Sequence, residues 1–256
     1  MIRRDVPLGD TPTNWLLISQ REHARLSHQL AAGWKVLLPT ATNAARREFL
    51  AAVLHHDDGW IDWQAAPRLD PEHGRPYGFT EMPPADAQAI WTRSIDACEA
   101  IGPLAAWVVA SHFIDLQSKQ DDDFAQWARW LGEQDRRRVA WLNDWHGADP
   151  ANTEAVAREC LYLLQQFDWL SLWLCCRGPI DSRDRTETLE LGDAARGFGP
   201  YTFTPRGVAI EVSPWPFSGG SLDLVANASR AAVGKYTSVA DMATTPTRAA
   251  WRLAPP

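Results

Sequence analysis

The sequence predicts a mainly α protein, in which a helical bundle is followed by a small antiparallel β section. Six segments between residues 20 and 176 repeat apolar residues with the spacing of an α-helix. After Pro179 the pattern changes to short strand-like segments that are separated by Pro and Gly. We therefore expect two parts, a helical core over residues 14–178 and a β-rich extension packed on that core over residues 179–256.

The helical core is predicted to begin with one strand and two helices. The apolar segment NWLLIS, residues 14–19, predicts a short strand that can join the C-terminal β section. Ser19 and Glu22 then have the spacing of a capping box, which predicts the start of the first helix. The second helix is expected over NAARREFLAAVLHHDDGW, where Asn43 caps it and Gly59 stops it.

The rest of the chain is predicted as one long loop, four helices and four strands. Residues 61–84 lose helical periodicity and are rich in Pro, Gly and charge, which is typical of a long functional loop. Helices are then expected at residues 85–102, 104–119, 121–145 and 152–176, the last of them capped by Asn152 or Thr153. Strands are expected at residues 201–205, 207–215, 222–233 and 247–253.

Composition and charge exclude several classes of function. A hydrophobic fraction of 45% and a charged fraction of 22% are ordinary for a soluble globular protein. The net charge of -7 argues against binding to nucleic acid or to an anionic membrane surface, because both need a basic face. The sequence has neither a membrane-length apolar run nor a signal peptide, and its four cysteines have no metal-binding spacing. We expect a cytoplasmic protein with reduced thiols.

Two ionisable residues stand in strongly apolar helices. Asp168 lies in LYLLQQFDWLSLWL, where an unpaired carboxylate is costly and therefore needs a cation or hydrogen-bond donors. The nearest basic residues along the chain are Arg158 and Arg177. His112 is equally out of place in AAWVVASHFIDL. Taken singly, each has a structural explanation, since a lone buried Asp is often a hydrogen-bonded anchor and a lone His a satisfied core group.

Further candidate ligands lie on the first two predicted helices. His23 partly faces the same side of the first helix as Leu30 and Trp34, and the second helix ends in HHDD, residues 55–58. Imidazole and carboxylate ligands together suit Fe, Mn, Co, Ni or Zn better than Ca. We therefore expect a site for one or two divalent transition-metal ions, formed by His23, His56, Asp57, His112 and Asp168.

The order of these residues resembles the signature of the HD-domain superfamily of metal-dependent phosphohydrolases. That signature has a His on an early helix, a His-Asp pair that closes the next helix and an Asp on a late helix. HDDG at residues 56–59 is similar to the His-Asp-x-Gly of the superfamily, and FDWLS at residues 167–171 is similar to its late Asp. The resemblance covers residues 15–177. The whole chain also resembles a bacterial family of unknown function.

The resemblance implies both a fold and a set of roles. It implies an HD-like orthogonal helical bundle, in which the metal ligands are His23, His56, Asp57 and Asp168. His112 matches one of the extra histidines that bind a second metal in dinuclear branches. The chain departs from the superfamily in having a single intermediate histidine, a long loop and a β section.

The resemblance also implies a reaction, hydrolysis of a small-molecule phosphate ester by a metal-activated water. Asp58 or His55 is then expected to orient groups of the site or to accept a proton. Residues expected to hold the phosphate are Arg68, His73 and Arg75 in the long loop and Lys119 on the fourth helix. Two alternatives are an HD-like di-iron oxygenase and a non-catalytic ligand-binding or structural protein with a degenerate site.

Overall fold

The computed structural model of the chain describes residues 1–8, 11–118, 124–180, 186–207 and 209–256. Within these residues, α-helices and β-strands contribute to one fold. The helices are α1 (Gln20–Gly33), α2 (Asn43–His55), α3 (Trp60–Ala65), α4 (Pro84–Glu99), α5 (Pro103–Ser118), α6 (Phe124–Ala148) and α7 (Glu154–Arg177). The strands are β1 (Ile2–Leu8), β2 (Thr11–Ile18), β3 (Leu69–Asp70), β4 (Arg75–Pro76), β5 (Leu189–Asp193), β6 (Phe198–Arg206), β7 (Ala209–Ser213), β8 (Leu222–Ala232) and β9 (Thr244–Ala254).

The described strands form a seven-stranded sheet and a separate two-stranded sheet. The strand order of the large sheet is β1-β2-β8-β9-β7-β6-β5. Its neighbours pair antiparallel, except that β7 and β9 run parallel. The small sheet pairs β3 with β4. The N-terminal strands β1 and β2 join the C-terminal part of the sheet through the pairing of β2 with β8.

The prediction of a mainly α, HD-like orthogonal bundle with a small β section is wrong. About half of the described residues are helical, and the large sheet is a second main component of the fold. Strands β1 and β5 were not expected, and β8 and β9 are each 11 residues long. In β8 and β9 buried residues alternate with exposed ones, as in an antiparallel sheet with one solvated face. Strand β8 spans nearly the expected residues 222–233, whereas β9 begins before the expected residues 247–253 because its exposed residues 244–246 carry no apolar signal.

Helices and sheet share one hydrophobic core. Its fully buried members include Leu26 and Phe167 from helices and Phe203 and Trp251 from strands. The core therefore crosses the proposed boundary at residue 178, and the division into residues 14–178 and 179–256 stays a prediction. Residues 14–18 of the expected strand at 14–19 are part of β2, which pairs antiparallel with β8, whereas Ser19 is the N-cap of α1.

Hydrogen bonds to the N-cap side chains confirm most of the predicted helix starts. The Ser19 hydroxyl accepts the Glu22 N–H at the start of α1, at 3.1 Å. Thr42 caps α2 in place of Asn43, and Thr153 caps α7. The expected loop at residues 61–84 is partly regular, since it holds most of α3 and the two-stranded sheet.

Helices α1, α2, α5 and α7 surround the five candidate metal ligands. Helix α1 packs against α2 and α7, and α5 packs against α2 and α7. Helix α4 lies outside this group and contacts α2 and α5. Among the described helices, none combines the length and the apolar composition that a membrane span requires.

Candidate metal centre

All five predicted metal ligands are buried and lie at the meeting point of α1, α2, α5 and α7. His23 is on α1, His56 and Asp57 follow the end of α2, His112 is on α5 and Asp168 is on α7. None of the five is more than 8% exposed. Because they come from separate parts of the chain, their proximity is a property of the tertiary structure.

The carboxylate of Asp168 is the centre of the cluster. Its Oδ1 atom lies 2.8 Å from His23 Nε2 and 3.3 Å from His56 Nε2. Its Oδ2 atom lies 3.8 Å from His112 Nε2. Asp57 closes the group, since its Oδ2 atom is 3.7 Å from His23 Nε2 and 3.6 Å from His56 Nε2.

These separations fit the spacing of ligand atoms around one metal ion. Ligand atoms about 2.1 Å from a shared ion lie about 3.0 Å apart at a right angle and about 3.4 Å apart at a tetrahedral angle. The observed nitrogen–oxygen separations of 2.8, 3.3, 3.6 and 3.7 Å bracket those values. One ligand atom each from His23, His56 and Asp168 lies within 4.8 Å of the others. Two imidazoles with carboxylates form a donor set for a divalent transition metal.

Hydrogen bonds around His23 hold its ring so that the Nε2 atom points at the cluster. The Ser171 hydroxyl donates to the main-chain carbonyl of Asp168 at 3.0 Å, so its oxygen is free to accept. It accepts from Nδ1–H of His23 at 2.6 Å. Ser27 lies 2.7 Å from the same hydroxyl and donates to the His23 carbonyl at 3.2 Å. With its proton on Nδ1, the His23 ring presents Nε2 as a ligand.

His56 is held in the same tautomer by the main chain. Its Nδ1 atom lies 2.8 Å from the carbonyl oxygen of Val53, one turn earlier in α2. A carbonyl oxygen only accepts, so this ring nitrogen carries the proton and donates. The His56 Nε2 atom therefore also points at Asp168. In the metal-free site it carries a proton that it donates to this carboxylate, and a bound metal ion would replace that proton, as at metal-binding histidines.

The charges of the cluster are strongly coupled. Burial disfavours a charged imidazole at His56, yet the negative charges of Asp57 and Asp168 raise its pKa to about 9. Burial opposes ionisation of Asp168, but hydrogen bonds from His23 and His56 hold the pKa of this carboxyl well below its usual range. Burial raises the pKa of Asp57. The site thus brings two buried carboxyl groups together, and a bound cation would neutralise their negative charge.

His112 differs from the other two histidines. Burial lowers its pKa to about 4, which makes it a neutral imidazole near pH 7. Its Nδ1 atom is buried and has no hydrogen-bond partner in the part of the chain that the structure describes. The ring of His112 is 6.0 Å from that of His56, centroid to centroid. The His112 ring faces Asp168 Oδ2, whereas His23 and His56 contact Asp168 Oδ1.

Close packing against α4 positions the turn that carries His56 and Asp57. The Gly59 N–H donates to the Ser94 hydroxyl at 3.0 Å, and Arg93 Nε–H donates to the Gly59 carbonyl at 3.2 Å. Gly59 has φ -61°, an ordinary helical value. Glycine is therefore required here for the close approach of α4 rather than for an unusual backbone conformation.

We expect Ser171→Ala to weaken metal binding by about 10–100-fold, because the hydrogen bond that orients His23 is lost. The measurement is a calorimetric titration of metal-free protein with Zn²⁺ or Mn²⁺. Ser111→Ala is the matched control, since Ser111 is also fully buried and its hydroxyl has no partner among the described residues. Equal affinities of the two variants would contradict an orienting role for Ser171.

The predicted catalytic residues lie beside the cluster and pair with each other. The Nδ1–H of His55 donates to Asp58 Oδ2 at 2.6 Å. Both residues line a surface pocket of about 240 Å³ together with Arg21, Glu22 and Arg25, and none of the five ligand residues lines that pocket. The catalytic role of His55 and Asp58 stays a prediction.

Each described phosphate-binding candidate has a carboxylate partner outside the cluster. The Arg68 guanidinium contacts Asp86 and stands 4.4 Å from the centroid of the Trp63 ring. The Nδ1–H of His73 donates to an Asp70 oxygen, and Arg75 donates to Glu81, at 2.5 and 2.9 Å. Lys119 lies outside the described residues. A role for these four residues in binding phosphate stays a prediction.

Several residues that hold the candidate ligands in place by hydrogen bonds were not predicted from the sequence. Ser27 follows His23 by one helical turn, and Ser171 follows Asp168 by one turn. Asp115 lies one turn after His112, and Gln165 lies one turn before Asp168. The Gln165 Nε2–H donates to Asp115 Oδ2 at 2.8 Å. Helical spacing from the ligands is the signal that would have identified these residues.

Comparison with known proteins gives one family match. The sequence profile of a family described as "Protein of unknown function (DUF3891)" matches residues 2–230. The matched region contains all five ligand residues and extends from β1 into β8. No curated protein and no solved structure gives a significant match.

Proposed function

We propose that this chain, which belongs to the DUF3891 family, is a metal-dependent hydrolase that acts on phosphate esters. One observation carries the proposal. The Nε2 atoms of His23 and His56 both point at one Asp168 oxygen, at 2.8 and 3.3 Å, while their Nδ1 atoms are engaged by protein groups. Such orientation by outer hydrogen bonds is typical of metal-binding histidines.

The residues would divide the work as follows. His23, His56, Asp57 and Asp168 would hold a divalent transition metal, and Ser171 and Val53 would orient the two imidazoles. Such an ion supplies Lewis acidity toward water and toward a phosphoryl oxygen. Burial of the ligands lowers the effective dielectric constant around them, which strengthens their electrostatic interactions.

A relationship to the HD-domain superfamily is part of the proposal. The support is the order of the ligands along the chain, a His, then a His-Asp pair, then a late Asp, together with their convergence between helices α1, α2, α5 and α7. The large sheet would then be an addition that sets this family apart from that superfamily.

Elemental analysis of protein purified without a His tag tests the metal first. We expect one or two transition-metal ions per chain, and loss of these ions after dialysis against a chelator. The metal-loaded protein should hydrolyse phosphate monoesters or diesters, and the chelated protein should not until metal is restored. Absence of stoichiometric metal would overturn the proposal.

We expect metal affinity to rise with pH between pH 6 and 8. His56 has a pKa of about 9 in the metal-free site, so a proton must leave its imidazole when the metal binds. The expected gain is about tenfold per pH unit for each proton displaced. Calorimetry in buffers of different ionisation enthalpy measures the protons released. An affinity that does not change over this range would contradict coordination by His56.

A dinuclear centre with dioxygen chemistry is the second candidate. His112 supports it, because its Nε2 atom lies 3.8 Å from the Asp168 oxygen that faces away from His23 and His56. His112 and Asp168 would then help to hold a second ion. Purified protein that contains two irons per chain, with a visible absorption that changes on exposure to oxygen, would favour this function over hydrolysis.

A further inference from the structure

A second cavity lies at the other end of α1, away from the metal centre. Trp34, which lines it, follows α1 and lies eleven residues after His23, roughly 16 Å along a helix. The cavity has a volume of about 440 Å³ and is formed by the α1–α2 connection, α7, β6 and the segment after β7. Its aromatic lining residues are Trp34, Tyr162, Phe198, Tyr201 and Trp215.

The walls of this aromatic cavity are held in place by their own contacts. The Trp34 ring stacks on Phe198 at 4.9 Å and meets the edge of Tyr201, also at 4.9 Å. The Lys35 N–H donates to the Pro216 carbonyl at 2.8 Å, which joins two walls through the main chain. A cavity with this support exists before a ligand arrives, and that lowers the entropy lost on binding.

The α1–α2 connection contributes a strained residue to the same wall. Leu38 has φ 50°, in the left-handed region that bulky residues rarely adopt, and its side chain is buried. Arg46 stabilises this conformation by donating to the carbonyls of Leu38 and Pro39, at 2.9 and 3.2 Å. Such strain persists only where neighbouring contacts enforce it.

The cavity contains one carboxylate that lacks a partner. Glu159 lines the cavity and is half-buried, and no hydrogen bond or ion pair engages its carboxylate within the described residues. Burial raises its pKa. Two cationic side chains also line the cavity. Arg196 forms an exposed ion pair with Asp193 at 3.7 Å, and Lys35 is exposed to solvent.

We propose that this aromatic cavity binds a small organic cation of the alkylammonium class. The aromatic rings would contact the alkyl groups, and the Glu159 carboxylate would face the positive charge. The cavity already contains one such interaction, because Arg196 stands over the Tyr162 ring at 4.9 Å from its centroid.

Calorimetric titration of the full chain with choline chloride tests the proposal, with sodium chloride used to match the ionic strength. The uncharged comparison compound is 3,3-dimethylbutan-1-ol, which has the shape of choline without its charge. We expect choline to bind at least about tenfold more tightly than the alcohol. Equal affinities, or no binding of choline at millimolar concentration, would overturn the proposal.

Variants of two glutamates on α7 locate the effect. Glu159→Gln should weaken choline binding about tenfold, because the charge facing the cation is lost. Glu154→Gln is the matched control, since Glu154 is exposed on the same helix and pairs with Arg158. Lys35→Gln should leave choline binding unchanged or tighten it. Weaker binding by Lys35→Gln, or equal effects of the two glutamate variants, would show that the cavity does not recognise a cation.

Discussion

Replacement of Asp168 by Asn is expected to lower metal affinity by at least about 100-fold, since loss of an outer hydrogen-bond partner alone costs about 10–100-fold. Asp168 contacts all three histidines of the cluster through its two oxygens. Asn keeps the size of the side chain but has one weak acceptor and no negative charge. Metal content and calorimetric affinity are the measurements, and any metal-dependent hydrolysis should fall to background. Circular dichroism is expected to show that the helices remain.

Glu48→Gln is the matched control for the loss of a carboxylate. The Glu48 Oε1 atom accepts the N–H groups of Leu104 and Ala105 at the start of α5, at 2.7 and 3.1 Å. The amide oxygen of Gln accepts these two hydrogen bonds less strongly than a carboxylate does, so the free energy of unfolding should fall by about 1 kcal/mol. Metal content should not change. If Asp168→Asn instead loses stability and keeps its metal, Asp168 is a structural anchor and the metal site is disproved.

Gly59→Ala is expected to cost about 3 kcal/mol or more in unfolding free energy, because the added methyl group has no space in a packed interface. The new carbon would overlap the Ile90 carbonyl and lie 2.7 Å from the Ser94 nitrogen. Helix α4 would have to move away, and the hydrogen bonds of Gly59 to Ser94 and Arg93 would be lost. Since the same turn carries His56 and Asp57, metal affinity should fall as well. Urea denaturation and metal titration measure the two effects.

Gly132→Ala provides the comparison, because Gly132 lies within α6 and only the end of the Arg136 side chain is near its missing methyl group. That change should stabilise the protein by up to about 1 kcal/mol through its effect on the unfolded chain. A Gly59→Ala variant with wild-type stability and affinity would mean that the contact with α4 does not position the site.

The cluster of candidate ligands could be predicted from the sequence because its members are unusual in their local sequence. His112 and Asp168 interrupt apolar helices, and a buried polar side chain needs a partner that the local sequence does not supply. The five residues do converge, as expected. The supporting serines were missed because Ser27 and Ser171 are unremarkable in a helix until the partner of each is known.

Helices were predicted better than the sheet for a physical reason. A helix closes its hydrogen bonds within four residues, so capping residues such as Ser19 and the apolar period of α1 are visible in the local sequence. The seven-stranded sheet joins β2 to β8 and β7 to β9, whose partners are far apart or out of order along the chain. Pairing across such distances, and a solvated sheet face, leave little local signal.

The helices, the five candidate ligand residues and the acidic character of the chain can be read from the sequence. The size of the sheet, the close approach of α4 at Gly59 and the aromatic cavity around Trp34 become visible when the chain is folded. The local features depend on side-chain chemistry and on contacts within a few residues. The sheet, the Gly59 contact and the cavity depend on which distant surfaces pack against each other, and that is a property of the whole chain.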